Sequence, residues 1–253
     1  MGELTSREKG YDPVELSRIV EKIVVRGEER KYYRIARPGR WYGGICAADC
    51  VGCNLKCVFC WSFFPRDHPD RAGRFYTPEE IYSSLKNCAL RHGYDKIRVS
   101  GNEPTIGRRH LLRLLELVDA DSMFLFILET NGILLGYDKS YARDLSRYEK
   151  IHVRVSLKGA SREEFHKLTG AKPSAFDYQL RALENLLDYN VSFHPAVMVS
   201  FSTEESLRGL VERLAEIDSR LPSLLEPEYV ILYPHVVERL KKAGLKPRIY
   251  YGR

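Results

Sequence analysis

No apolar run in this chain approaches the ~20 residues that a helix needs to cross a bilayer. No membrane-spanning helix is therefore expected. The first residues, Met1-Gly2-Glu3-Leu4-Thr5-Ser6-Arg7-Glu8, lack the apolar stretch of a signal peptide, and a cytoplasmic protein is expected. No internal repeat, low-complexity tract or linker divides the chain, so one domain is the simplest reading. There is no phosphate-cradling glycine loop of the nucleotidase type and no Ser–His–Asp signature. A strong charge of one sign is also missing. The formal charge of +6 is mildly basic; it permits an anionic partner such as RNA without requiring one.

What is present is an uneven use of cysteine. Six occur, at 46, 50, 53, 57, 60 and 88, and five of them fall within fifteen residues. That crowding does not suit an ordinary disulfide framework in a 253-residue protein. Thiolates so close together, with no His at ligand spacing, suit a soft metal or an iron–sulfur cluster. Two overlapping triads share one spacing: Cys46-x3-Cys50-x2-Cys53 and Cys53-x3-Cys57-x2-Cys60. Three ligands are too few for a structural zinc site, which is normally closed by four. They suit a cubane whose fourth iron stays open. A non-catalytic metal-binding module that uses the cysteines for structure is the alternative of another class. Cys46 and Cys50 read as buried strand residues or a local thiol pair. Cys88 shares a helix face with Ile81 and Leu85 and reads as core.

The rest of the chain alternates. Asp12-Pro13 opens a helix over 13–25, and residues 30–37 read as an extended segment whose basic–aromatic mixture also suits nucleic acid. A first core strand is expected within 41–52, then a long loop over 61–76. Thr77-Pro78-Glu79-Glu80 and Ser161-Arg162-Glu163-Glu164 are capping boxes that open helices. Strands are expected at 96–100, 123–129, 151–157, 191–199 and 229–233. Helices are expected over 109–118, 137–148, 161–168, 175–189, 202–217 and 235–243. Strands alternating with helices give an α/β fold with a parallel sheet and crossover helices. The expected division is an N-terminal extension over 1–37, a core over 38–243 and a basic, irregular tail over 244–253.

Cys53-x3-Cys57-x2-Cys60, with Phe59 before the last cysteine, resembles the cluster motif of the radical S-adenosylmethionine (SAM) superfamily. The Cys46 triad has Gly52 where that aromatic stands. The resemblance implies a partial (β/α)6 barrel of the TIM type, with its chemistry at the C-terminal ends of the strands. It implies a [4Fe–4S] cluster on Cys53, Cys57 and Cys60 whose open iron chelates SAM. Reductive cleavage of SAM then yields methionine and a 5′-deoxyadenosyl radical that abstracts hydrogen from a substrate. A single-electron donor of the ferredoxin or flavodoxin type is implied as partner.

Further positions carry the resemblance. Gly101-Asn102-Glu103-Pro104 resembles the family's Gly-Gly-Glu-Pro turn, which with its Glu binds the SAM amino group; Asn102 replaces the second Gly. Thr130-Asn131-Gly132 resembles the stretch that closes the third strand, which makes Asn131 and, more weakly, Glu129 site-lining candidates. Ser156-Leu157-Lys158 stands where the glycyl-radical-enzyme activating branch has Asp-x-Lys in contact with SAM. Ile231-Leu232-Tyr233 and His235 qualify by position. The substrate stays open between a protein, as in glycyl-radical activation, an RNA and a small molecule of a cofactor pathway.

Overall fold

The computed structural model describes residues 9–121 and 123–251; the expectations for residues 1–8 and 252–253 lie outside them. Helix α1 (Pro13–Val24) starts where the Asp12 carboxylate accepts from the Val14 and Glu15 N–H groups, which supplies orphan donors of the first turn with a partner. Two antiparallel strands follow, β1 (Val25–Arg26) and β2 (Glu29–Gly39), and β2 continues into β3 (Ile45–Cys50). Strand β2 thus crosses residues 37 and 38 within one sheet.

The loop expected over 61–76 carries structure of its own. It holds a short helix, α2 (Phe63–Asp67), and β4 (Arg74–Tyr76), which pairs with β2. Helix α3 (Pro78–His92) has the full Thr77/Glu80 capping box and ends on Gly93 in the left-handed region. The chain then alternates through β5 (Lys96–Gly101), α4 (Arg108–Asp121) and β6 (Leu125–Thr130). The helix expected over 137–148 is α6 (Lys139–Leu145), and a separate short helix, α5 (Ile133–Tyr137), precedes it. Asp138 divides them, because its extended backbone and side chain cap a new helix start. Next come β7 (Ile151–Leu157), α7 (Arg162–Thr169), α8 (Phe176–Asp188), β8 (Phe193–Met198), α9 (Glu204–Ile217) and α10 (Leu221–Leu224).

The Ser161 capping box forms only by half. Ser161 accepts from the Glu164 N–H, but the Glu164 carboxylate accepts from the Ala160 N–H, Ser202 Oγ and Ser206 Oγ instead. Two tertiary partners and the neighbouring Ala160 N–H outweigh the one capping-box donor.

The sixth parallel strand is not the apolar run at 229–233. It is β9 (Glu226–Glu228), a Glu-Pro-Glu edge strand on β8. Such an edge tolerates proline. Val230–Ile231 (β10) pairs instead with Tyr250–Tyr251 (β11), after α11 (Pro234–Lys242), so the tail is not wholly irregular. The main sheet runs β1-β2-β3-β5-β6-β7-β8-β9, and its members from β3 to β9 are parallel. This is an open, partial barrel with crossover helices outside.

Outward residues such as Ile97, Val99, Phe126, Leu128, Val153 and Val155 are fully buried beneath the helices. Inward residues are strongly polar: Asp49, Arg98, Ser100, Arg154 and Ser156 are all buried. The alternation follows from the two-residue period of a strand. Among the described residues no helix is long and apolar enough to cross a membrane.

Cys46 in β3 is joined to Cys88 in α3 by a disulfide. The local thiol pair is therefore corrected: the partner of Cys46 is a helix away, and Cys50 is a buried free thiol. Helices α5 and α8 cross at Gly136, where an added Cβ would lie 1.8 Å from the Tyr178 carbonyl oxygen. Gly136→Ala is expected to cost about 3 kcal/mol of unfolding free energy, because backbone rather than a flexible side chain must yield. A denaturant midpoint equal to that of the parent would contradict this close crossing.

Candidate functional site

The cysteine loop leaves the C-terminal end of β3 and is pinned on every side. Gly52 sits at φ +85°, and a Cβ there would meet Val20 Cγ1 of α1 at 2.6 Å. The Gly52 N–H donates to Asn102 Oδ1 at 3.0 Å and to the Pro65 carbonyl at 3.1 Å. The Lys56 N–H donates to Tyr11 Oη at 2.8 Å, and the Val58 N–H to the Leu168 carbonyl at 2.9 Å. Phe59, the aromatic of the motif, stacks on Phe201 with ring centroids 5.8 Å apart.

Cys53 and Cys57 are buried and Cys60 is half-buried. The three thiols lie within electrostatic reach of one another. Burial pushes the Cys53 thiol well above the usual range, helped by Glu103 and Cys57. Burial also raises Cys57 to about 11, against the pull of Lys158 and Arg66. Neutral buried thiols are costly to ionise, so a bound electrophile must stabilise the thiolates.

Among the described residues no three His, Cys, Asp or Glu side chains converge as they would on a single ion. A cubane asks for a different arrangement, because its thiolates bind separate irons around a volume. Donors for such a group are in place. Cys53 Sγ accepts from the Leu55 N–H at 3.3 Å and from Asn131 Nδ2 at 3.8 Å. Asn54 is fully buried inside the loop, and its Nδ2 has no protein partner. A buried amide donor without an acceptor is costly in a dry interior, and a cluster sulfide or thiolate would satisfy it. Arg66 and Arg239 donate to the Cys57 carbonyl at 2.6 and 3.0 Å, so cations surround the loop. The residues fit an anionic cluster. The competing triad loses Cys46, whose sulfur is bonded to Cys88. Cys50 lies among Arg30, Tyr32 and Asp49, with its thiol pushed up to about 12 by burial.

The expected SAM-site residues meet at the same end of the sheet. Gly101, at φ +100°, runs so close to β3 that a Cβ would lie 2.7 Å from the Cys50 nitrogen. Asn102 shows what it does in place of glycine. Its Oδ1 takes the Gly52 N–H while its Nδ2 donates to the Ser62 carbonyl at 3.0 Å, clamping both ends of the cysteine loop. Glu103 is fully buried. Its Oε1 accepts from the Thr105 N–H, Thr105 Oγ1 and Thr130 Oγ1, and its Oε2 from the Asn131 N–H. Pro104 opens the turn that follows. Asn131 Nδ2 donates to Asn54 Oδ1 at 2.8 Å, so the β6 end touches the cysteine loop directly. Glu129 is elsewhere, in an ion pair with Arg98 and accepting from Tyr42.

Ser156 and Lys158 close β7 beside each other, with Lys158 Nζ donating to Ser156 Oγ. Two partners of these residues carried no local signal. Gln179 of α8 donates to the Asn131 and Ser156 carbonyls and accepts from the Lys158 N–H. Glu228 of β9 accepts from Ser156 Oγ at 2.7 Å and pairs with Lys158 at 3.6 Å. Two surface clefts, of about 390 and 280 Å³, lie among α7, α8 and α9 and behind β8. Neither is lined by the cysteine loop.

The radical SAM superfamily model matches residues 49–214, from the end of β3 into α9. The chain belongs to the radical SAM superfamily. Members of this enzyme family bind a [4Fe–4S] cluster and SAM, and these are the cofactors of the chain. Radical SAM enzymes also need a reductant and a substrate.

A probable GTP 3′,8-cyclase of Methanopyrus kandleri is 30% identical over 190 residues, covering 75% of this chain and 58% of that protein. A GTP 3′,8-cyclase of Clostridium perfringens is 30% identical over 160 residues, covering 61% of this chain and 46% of that protein. The chain thus spans about half the length of these curated relatives. Among solved structures, anSMEcpe with bound AdoMet and the Cp18Cys peptide is 26% identical with a TM-score of 0.56, covering 75% of this chain and 50% of that one. The mixed α/β architecture with a parallel sheet is therefore the radical SAM fold.

Proposed function

We propose that Cys53, Cys57 and Cys60 hold the [4Fe–4S] cluster and that SAM binds against the ends of β5, β6 and β7. The observation that carries this reading is the pinned loop, which gathers three thiols beneath buried N–H donors and among cations. When bound, the cluster and SAM supply reductive cleavage of SAM and hydrogen abstraction from a substrate. The chain's own residues orient and enclose. The backbone of Gly101–Pro104 offers carbonyls to the SAM ammonium. Asn131 orients Cys53 and the loop, and Ser156 and Lys158 face the SAM carboxylate or ribose. Glu103 acts through Thr130 and Asn131, because its carboxylate is fully buried and holds both of them. Asn54, Asn131 and the cations lower the cost of holding negative charge in a buried loop.

For the substrate we propose a purine nucleotide, in a reaction of cofactor biosynthesis. The names of the curated relatives support this class over a protein substrate. The densely charged inner face of the sheet agrees with a polar small molecule. A one-electron donor protein completes the system.

Anaerobically reconstituted protein, given SAM, dithionite and GTP, is expected to form 5′-deoxyadenosine and to consume GTP, read by liquid chromatography with mass detection. Zinc without iron in the native protein, together with no 5′-deoxyadenosine, would sink the enzyme reading. 5′-Deoxyadenosine formed while GTP stays intact would remove the nucleotide and keep the cluster assignment.

A further inference from the structure

Ser156 stands where the glycyl-radical activating branch carries Asp, so the β7 end lacks a carboxylate in sequence. The structure holds one there in space. β8 lies between β7 and β9, and the residue between Ser156 and Glu226 in the ladder is Ala196. A methyl group at that point leaves room for β9 side chains to reach across a whole strand. Glu226 takes Arg154 through two bonds of 2.9 Å each. Glu228, one inward position further on, accepts from Arg154 and from Ser156 Oγ and pairs with Lys158. Burial alone would raise the Glu228 carboxyl, but Lys158 and Arg154 outweigh it and hold it at about 2.

The hydrogen-bond directions follow from the chemistry of each group. The Ser156 hydroxyl has one proton and gives it to Glu228, so its lone pair accepts from Lys158. An ammonium has three N–H donors. With one on Ser156 and the ion pair to Glu228 fixing its place, Lys158 still has a donor for a ligand at the strand ends. Lys158 also lies within electrostatic reach of Cys57 in the cysteine loop.

We propose that Glu228 supplies from β9 the carboxylate that the Ser-x-Lys end of β7 lacks, and so fixes Ser156 and Lys158 for SAM. Glu228 is a positioning residue, and this role rests on the proposed contact of Ser156 and Lys158 with SAM.

Moving the carboxylate tests it. SAM affinity is measured by equilibrium dialysis on anaerobic, cluster-loaded protein without reductant, and folding by thermal melting of the same variants. Glu228→Gln is expected to weaken SAM about tenfold, the scale of one charge-assisted hydrogen bond. Arg154 keeps Glu226 in that variant, whereas Lys158 loses its ion-pair partner and keeps Ser156 Oγ. Ser156→Asp combined with Glu228→Gln is expected to recover SAM affinity to within about threefold of the parent. Ser156→Asp alone sets two carboxylates against each other and is expected to lose affinity. A purely structural Glu228 would shift the melting temperature and show no recovery of binding in the double variant, which would overturn the proposal. Unchanged SAM affinity in Glu228→Gln overturns it as well, while a loss in Lys158→Met keeps the SAM contact. Unchanged affinity in Lys158→Met removes the underlying contact itself, and the role of Glu228 falls with it.

Discussion

Replacement of Cys53, Cys57 or Cys60 by Ala, one at a time, is expected to abolish bound iron and all 5′-deoxyadenosine formation. Cys46→Ala and Cys50→Ala are expected to keep parental iron after anaerobic reconstitution. The contrast follows from where the sulfurs lie. Cys53, Cys57 and Cys60 sit on one loop, held by Tyr11, Asn102, Leu168 and Phe201. Cys46 is bonded to Cys88 across β3 and α3, and Cys50 lies among Arg30, Tyr32 and Asp49. A cubane on three thiolates has no spare ligand, so one lost sulfur exposes a second iron and the cluster disassembles. Iron and sulfide analysis, with the visible absorbance of the reconstituted protein, checks each variant. Iron lost from Cys50→Ala but kept in Cys60→Ala would shift the assignment to the other triad.

Glu103→Ala is expected to lower the unfolding free energy of the cluster-free protein by about 4 kcal/mol, because several buried donors lose their acceptor together. The Thr105 N–H and hydroxyl, the Thr130 hydroxyl and the Asn131 N–H all end on this carboxylate. Asn131 in turn donates to Asn54 and to Cys53 Sγ, so displacing the β6 turn also disturbs the cysteine loop. The expected signature is a lower denaturant midpoint together with reduced iron retention. The family resemblance makes Glu103 a direct ligand of the SAM ammonium. Parental stability and parental iron with weakened SAM binding alone would contradict this structural role and return the carboxylate to the SAM site.

The departures from the family pattern have physical explanations of the same kind. Asn102 replaces a glycine, yet its amide joins Gly52 to Ser62 across the loop, a closure that no glycine side chain provides. Ser156 replaces an acid, and an acid returns from another strand. Both were visible in the sequence as substitutions; their meaning was not, because the partners lie 50, 40 and 72 residues away.

The sequence by itself determined most of the elements and the spacing of the cysteines. Caps at Asp12 and Thr77, the two-residue alternation of β5 and β7, and the spacing of Cys53, Cys57 and Cys60 are all local patterns. Backbone hydrogen bonding and side-chain period act over a few residues, so they are legible without a fold. Only the tertiary structure decided what depends on strand order. It put Glu226–Glu228, rather than the apolar 229–233, at the sheet edge. It joined Cys46 to Cys88 across 42 residues and brought Gln179 to Asn131 and Lys158. A charged edge strand resembles a loop in sequence. It becomes a strand because its backbone pairs with β8 while its carboxylates find Arg154, Ser156 and Lys158 across that strand.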